Sequence, residues 1–141
     1  SVFINEQQTS EFFLHGNIAA KHGVPVVFVS GDAGVCEEVK DVSPNTTTHA
    51  TMVGVGDSTI NIQPETSRKA IREKVKVTLS SNLKKCIWTH PDSFSLEVRF
   101  IKQQLAYRAS HYPGATLVDA KTVAFEASDF DNIMRFMLFT V

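Results

Sequence analysis

An uninterrupted apolar run at residues 26–29 (Val-Val-Phe-Val) limits the possible folds more than any other feature of this sequence. Pro25 precedes it and no polar residue alternates with it. A strand without a polar face is usually covered on both sides, as in a parallel sheet flanked by helices. Before it, apolar residues recur at helical spacing and predict a helix over residues 9–22, which ends at Gly23. The sequence therefore predicts an α/β fold.

The remaining elements of the first half extend this pattern. The sequence predicts a short strand at residues 2–4, a short helix at residues 35–41, an extended segment at residues 46–55 and a helix from Pro64 to about Asn82. Strands and helices that alternate in this order usually pack as a parallel sheet with right-handed helical crossovers. We expect residues 1–83 to form one α/β domain.

The second half has a different pattern. Apolar and polar residues alternate from Phe94 to Phe100, which predicts a strand with one exposed face. A helix at residues 102–110, short strands near residues 116–118 and 122–126, and a final helix capped by Ser128 are predicted to follow. We expect residues 84–141 to form a smaller α+β subdomain.

The composition narrows the class of protein. A chain of 141 residues can bury a hydrophobic core without disulfides. Its formal net charge of −1 argues against a nucleic-acid-binding protein, which usually carries a basic face. No apolar run approaches the roughly 20 residues that span a bilayer, and Cys36 and Cys86 lack the spacing of a metal site or a disulfide framework. We expect a cytoplasmic protein with reduced thiols and neither a nucleic-acid nor a membrane partner.

Glu11 is the first candidate for a functional site. At helical spacing it shares a face with Leu14 and Ile18, which directs it toward the core or a cleft. Carboxylates are rarely buried unless they are paired or bound to a metal. His15 follows one turn later and could share such a metal. Taken alone, the sequence favours the ordinary interpretations: an acid stabilised in the first turn of a helix, and a histidine at the rim of the core.

Residues 30–34 (Ser-Gly-Asp-Ala-Gly) form a second candidate, because phosphates often bind between a buried strand and a helix. The segment matches neither the dinucleotide-binding fingerprint nor the P-loop. A tight turn with Asp32 as helix N-cap is the more ordinary interpretation. The other four histidines show no metal-ligand spacing; they are His22, His49, His90 and His111.

Several stretches together carry a resemblance to a known family. They are Ile4-Asn5, Ser10-Glu11, residues 22–32, Glu37-Glu38, residues 112–115 (Tyr-Pro-Gly-Ala), residues 122–127 and Asp129-Phe130. In their order and spacing the chain resembles the metal-dependent D-aminopeptidase family, zinc aminopeptidases formerly called dipeptide-transport proteins. In that family an Ile-Asn pair precedes a Gly-Glu pair by a fixed interval, and Glu11 falls on the glutamate of that pair.

The resemblance implies a zinc peptidase that acts on short peptides with an N-terminal D-amino acid and assembles as a homo-oligomeric ring. It implies that Glu11 is one ligand of a two-metal site and that residues 10–14 line this site. The resemblance covers only the C-terminal half of a family member, so the other ligands and the catalytic histidine are expected upstream of Ser1. The absence of an initiator Met led us to expect a processed N-terminus or a piece of a longer polypeptide. We expect these residues alone to lack peptidase activity; catalytic and substrate-binding residues are not identified.

Some residues depart from the family pattern. Ser10 replaces the usual glycine, Ala33 stands where members often have a second aspartate, and Met52 and Asp57 stand near places where members carry a lysine and an arginine. These departures leave open an alternative, a non-catalytic binding or assembly module that kept the fold. A nucleotide-binding α/β domain that uses residues 30–34 is the weaker alternative.

Overall fold

The computed structural model describes all of residues 1–141, and contacts within the chain divide them into two compact units. One unit joins Ser1–Lys21 with His90–Val141, and the other is His22–Thr89. The eight strands, in chain order, are β1 (Val2–Ile4), β2 (Gln7–Gln8), β3 (Phe28–Asp32), β4 (Thr47–Val55), β5 (Ser58–Asn61), β6 (Phe94–Arg99), β7 (Ala115–Leu117) and β8 (Thr122–Ala127). The five α-helices are α1 (Glu11–Lys21), α2 (Ala33–Val42), α3 (Pro64–Leu79), α4 (Gln103–Ala109) and α5 (Phe130–Thr140).

The unit formed by the two ends of the chain is built on a five-stranded antiparallel sheet, in the order β2-β1-β6-β8-β7. The predicted alternation in β6 is confirmed, because Phe94, Leu96 and Val98 are buried while the residues between them are exposed. These side chains join one hydrophobic cluster with Phe130 and Phe136 of α5. A sheet with one covered face is what this alternation produces.

The unit formed by His22–Thr89 contains a three-stranded sheet in the order β3-β4-β5. The strand β3 runs parallel to β4, and α2 connects them. The strand β5 is antiparallel to β4 and forms a hairpin with it. The predicted α/β class is confirmed, with a parallel pair and a helical crossover in this part of the chain.

Details of the first half differ from the prediction. The strand β1 is not part of the parallel sheet: it pairs antiparallel with β2 and β6. Asn5 and Glu6 turn the chain between β1 and β2 with positive φ angles of 49° and 67°. The apolar run forms a strand only from Phe28 onward, and Phe28 and Val29 are half-buried rather than fully covered.

Other boundaries shift by a few residues. The short strand β5 had no counterpart in the sequence prediction. The final helix is capped by Asp129 rather than Ser128: its carboxylate accepts a hydrogen bond from the backbone N–H of Asp131 at 3.2 Å. No helix combines the length and the apolar character that a membrane span requires. Because β1 pairs with β6, residues 1–21 group with residues 90–141; the predicted domain division at residue 83 remains a prediction.

Candidate metal-ligand residues at the start of α1

Glu11 is the first residue of α1, directly after the N-terminal hairpin. The Oγ of Ser10 accepts a hydrogen bond from the backbone N–H of Phe13 at 3.2 Å, which gives Ser10 the position of an N-cap. The Glu11 side chain is 89% exposed, so it does not point into the core as the helical spacing suggested. The reason is the position of Glu11 in the first turn. Side chains of a helix lean toward its N-terminus, so a side chain in the first turn extends beyond the end of the helix into solvent.

The structure brings the side chain of His15 to that of Glu11. Its Nε2 lies 3.6 Å from Oε1 of Glu11, and its side chain is 67% exposed. Both groups face solvent and lie one helical turn apart. Carboxylate and imidazole are donors that zinc accepts, but a zinc site takes three or four protein ligands. No group of three or more His, Cys, Asp or Glu residues that could hold a metal occurs in the chain. Glu11 and His15 are thus two side chains of types that zinc accepts, with no third such donor grouped with them.

The rest of α1 is fixed by packing of its apolar face and by hydrogen bonds. Phe13, Leu14 and Ile18 pack against the hydrophobic cluster. The Nδ2 of Asn17, which is buried, donates a hydrogen bond to the carbonyl of Phe13 at 2.9 Å. The carbonyl of Asn17 in turn lies 2.6 Å from Nε2 of His90. The helix that carries Glu11 is thus positioned by its own apolar face and by a hydrogen bond from a residue far along the chain.

His90 has a role that the sequence interpretation missed, since it was treated there as background. Its Nε2 donates to the carbonyl of Asn17, and its ring makes edge-on contacts with Phe94 and Phe130 at centroid distances of 5.7 and 6.1 Å. No local motif marks such a residue, because its partner is 73 positions away. His90 therefore positions α1 through its hydrogen bond to Asn17.

The remaining histidines have local surroundings of their own. His49 is buried in β4, and its Nε2 lies 3.2 Å from Oγ of Ser67 in α3. His111 is exposed and contacts the ring of Tyr107 edge-on at 4.8 Å. His22 is exposed at the end of α1.

The turn at residues 30–34 has a local explanation. Oδ1 of Asp32 accepts a hydrogen bond from the backbone N–H of Val35 at 2.9 Å, which confirms the predicted N-cap of α2. Gly31 is required by packing, because a Cβ at this position would lie 2.6 Å from Cγ1 of Val35. The carbonyl of Gly31 accepts a hydrogen bond from the hydroxyl of Thr51. Contacts within the fold thus account for this glycine and this aspartate.

The two further departures from the family pattern lie on the β4–β5 hairpin. Met52 is half-buried in β4, opposite Asn61 of β5. Asp57 is exposed in the turn between the strands, next to Gly56, whose φ is +58°. Neither lies in the same compact unit as Glu11.

Comparison with known proteins finds a family, a relative and a solved structure that this chain resembles. The model of the D-aminopeptidase family matches residues 1–139. A D-aminopeptidase of Bacillus subtilis (strain 168) is 28% identical over 138 residues, which cover 96% of this chain and 50% of that protein. Among solved structures, the Zn-dependent D-aminopeptidase DppA from Bacillus subtilis, a self-compartmentalizing protease, matches with a TM-score of 0.86 and 26% identity. That match covers 99% of this chain and 52% of the other, so the chain spans about half the length of the relatives it matches.

Proposed function

The chain belongs to the D-aminopeptidase family, and on that premise we propose that it is the C-terminal part of a zinc-dependent aminopeptidase. The proposed reaction is hydrolysis of short peptides with release of an N-terminal D-amino acid. The observation that carries the proposal is the match of the family model across almost the whole chain, supported by the fold similarity to a zinc-dependent D-aminopeptidase.

Glu11 is the residue of this chain that we propose as a metal ligand. Its carboxylate is exposed at the start of a helix whose other side is packed into the core, so it is available to a cation without loss of core packing. A carboxylate can also bridge two cations, and two metals together polarise a carbonyl and activate water. The other ligands are expected in the part of the protein that the relatives have beyond the matched half.

The proposal includes the setting of the enzyme. We propose a cytoplasmic homo-oligomer that forms a ring, with short peptides as substrates; the self-compartmentalizing character of the structural neighbour supports the ring. We also propose that residues 1–141 expressed alone do not hydrolyse peptides, because one or two donors cannot hold two zinc ions.

The test measures zinc content and hydrolysis of a D-alanyl peptide by the protein in its full encoded length. Glu11→Ala is expected to lose at least half of the bound zinc and nearly all of the hydrolysis. Glu73→Ala is a matched control, since Glu73 is an exposed glutamate on α3 outside the stretches that carry the family resemblance, and it is expected to behave as the parent. Unchanged zinc content in Glu11→Ala would remove Glu11 from the site.

A non-catalytic assembly module is the second candidate. It is favoured by Ala33, Met52 and Asp57, which depart from the family pattern. It predicts a folded, oligomeric full-length protein that binds no zinc and leaves both D- and L-alanyl peptides intact. Hydrolysis of the D-alanyl peptide by zinc-loaded protein excludes this candidate.

A further inference from the structure

One short segment of the chain is hydrogen-bonded to the sequence on both sides of Glu11. Residues 90–95 (His-Pro-Asp-Ser-Phe-Ser) lead into β6 and include its start; they are called the anchor segment below. The segment is bonded to Asn5, which precedes Glu11, and to Asn17, which follows it at an equal distance in the sequence. All of these residues belong to the same compact unit. The proposed metal ligand therefore lies between two points of attachment to one segment.

Asn5 makes the first attachment, with its backbone and with its side-chain amide. Its φ of 49° turns the chain away from the β1–β6 ladder, and Oδ1 of Asn5 accepts the hydrogen bond from the backbone N–H of Ser95 at 2.8 Å. The backbone N–H of Asn5 donates to the carbonyl of Ser95 at 2.8 Å, and its Nδ2 donates to the carbonyl of Ser93 at 3.3 Å. Asparagine adopts this left-handed conformation more readily than most residues. The side chain thus continues the strand pairing beyond the end of β1.

A short hydrogen-bonded stretch connects Asn5 to Glu11. The strands β1 and β2 form a hairpin, and the backbone N–H of Thr9 donates to the carbonyl of Val2 at 2.8 Å at its open end. Ser10 then caps α1, and Glu11 is the first residue of the helix. Because this stretch is short and its backbone is paired, a displacement of Asn5 is expected to move the start of α1.

His90 makes the second attachment. Its Nε2 lies 2.6 Å from the carbonyl oxygen of Asn17, and because a carbonyl only accepts hydrogen bonds, this nitrogen carries the proton. The edge-on contacts with Phe94 and Phe130 fix the orientation of the ring. Pro91 restricts the backbone of His90 to extended conformations. The donor is therefore held in place by its own surroundings, and α1 is aligned to it.

Apolar packing alone does not fix α1 along its axis. Phe13, Leu14 and Ile18 attach the helix to the hydrophobic cluster, but the hydrophobic effect has no preferred direction. Hydrogen bonds between N–H and C=O groups prefer a distance of about 2.9 Å and a nearly linear angle. The side chains of a functional site must stay within about 0.5 Å of their productive positions. The directional bonds at Asn5 and Asn17 therefore supply the positional control that the apolar face lacks.

We propose that the anchor segment, through Asn5 and His90, positions Glu11 for the metal and thereby sets the zinc affinity of the site. The inference rests on the proposed function, in which Glu11 is a zinc ligand. Asn5 and His90 act through the placement of α1, so they are positioning residues rather than ligands. Groups that orient metal ligands contribute about 10- to 100-fold to metal affinity. We expect each attachment to contribute at the lower end of this range, because it acts on the helix and not directly on the carboxylate.

The test measures the dissociation constant of zinc, by competition with a chelator, in the protein in its full encoded length. His90→Phe keeps an aromatic ring and removes the donor, whereas His90→Gln keeps an N–H donor. Asn5→Gly removes the side-chain amide and tolerates the positive φ. His90→Phe and Asn5→Gly are each expected to bind zinc about 10-fold more weakly than the parent, and His90→Gln is expected to stay close to the parent. The visible spectrum of the cobalt(II)-substituted protein, which reports the geometry of the metal site, is expected to change in the same two variants.

Ile133→Val separates positioning from stability. Ile133 is fully buried in α5, so its truncation lowers the melting temperature without removing a hydrogen bond. This variant is expected to keep the parent zinc affinity and cobalt spectrum. Parent zinc affinity in His90→Phe and Asn5→Gly overturns the inference, and so does an equal loss in Ile133→Val or in His90→Gln. Circular dichroism checks the fold, and Asn5→Gly decides alone if His90→Phe does not fold.

The parent and Glu11→Ala, measured in the same series, test the proposed function separately. A parent that binds no zinc, or a Glu11→Ala variant with the parent affinity, refutes the assignment of Glu11 and the positioning inference with it. Weaker binding in Glu11→Ala together with parent affinity in His90→Phe and Asn5→Gly refutes the positioning inference alone.

Discussion

Lys21 and Asp129 are 108 positions apart in the sequence, and Nζ of Lys21 lies 2.7 Å from Oδ1 of Asp129. The same ammonium group also pairs with Asp131, one residue into α5. The hydrogen bond from Lys21, and after it the backbone N–H of Asp131, hold the pKa of Asp129 below its ordinary value of 3.8. The hydrogen bonds to Asp129 and then Asp131 raise the pKa of Lys21 above 10.5. The last residue of α1 is thereby tied to the first turn of α5.

This ion pair predicts a pH-dependent effect of Lys21→Gln on the melting temperature. Because the pKa of Asp129 is lowered, its contribution to stability is present above pH 3.8 and is lost as the pH falls through the lowered value. Because the pKa of Lys21 is raised, its contribution is present below pH 10.5 and is lost as the pH rises through the raised value. Lys21→Gln is therefore expected to melt at a slightly lower temperature than the parent between these limits, and this difference is expected to shrink as the pH falls through the lowered pKa of Asp129.

The difference in melting temperature is small and decreases with added salt, since the side chains of Lys21 and Asp129 are both partly exposed, at 29% and 47%. Lys69→Gln, at an exposed lysine of α3, serves as the control and is expected to match the parent at every pH. A deficit in Lys21→Gln that does not shrink as the solution is acidified would mean that the methylene chain of Lys21, and not its charge, stabilises the contact.

Phe136→Ala is expected to lower the free energy of unfolding by about 3–5 kcal/mol. Phe136 is fully buried, stacks on Phe125 at a centroid distance of 4.9 Å and meets Tyr112 edge-on at 5.2 Å. Removing it leaves a cavity that its two aromatic neighbours cannot close by small shifts. Urea unfolding measures the change. Phe139 on the same helix is 69% exposed, so Phe139→Ala is expected to stay within about 0.5 kcal/mol of the parent. Equal losses in both variants would contradict the assignment of the core.

Asp32→Ala is expected to lower the free energy of unfolding by about 0.5–2 kcal/mol, the usual cost of losing an N-cap. The hydrogen bond that is lost is the one from the backbone N–H of Val35 to Oδ1 of Asp32. Asp32→Asn keeps an acceptor at this position and is expected to retain most of the stability. Thermal unfolding of the two variants measures the difference.

The same experiment tests the nucleotide hypothesis for residues 30–34. A ligand that binds the folded state raises the melting temperature. ATP at saturating concentration is expected to leave the melting temperature of the parent unchanged, because Asp32 and Gly31 are already used by contacts within the fold. A rise that Asp32→Asn abolishes would favour nucleotide binding.

Local patterns predicted most elements well, because helix periodicity, caps and turn residues act over a few positions. Pro64 starts α3, Asp32 caps α2 and the alternation from Phe94 marks β6, all as predicted. The prediction failed where pairing partners are far apart. The sequence predicts a strand at residues 2–4, but no neighbouring residue in the sequence indicates that this strand, β1, pairs with β6.

The candidate site divides in the same way. Glu11 could be singled out from its spacing and from the family resemblance, and it remains a prediction as a metal ligand. Helical periodicity did not predict the exposure of Glu11, because a side chain in the first turn leans beyond the end of the helix, where no neighbouring element covers it. His90 could not be found at all, since its hydrogen bond to Asn17 joins two segments separated by 73 positions.

The sequence by itself determined the α/β class, the family and the positions of most helices and strands, because these depend on short-range propensity and on residues at fixed spacing. Only the tertiary structure decided that the two ends of the chain share one antiparallel sheet and that His90 and Lys21 hold α1 in place. Each of these facts depends on which distant segments pack together. That choice is made by the burial of the whole apolar surface, and no short window of the sequence contains it.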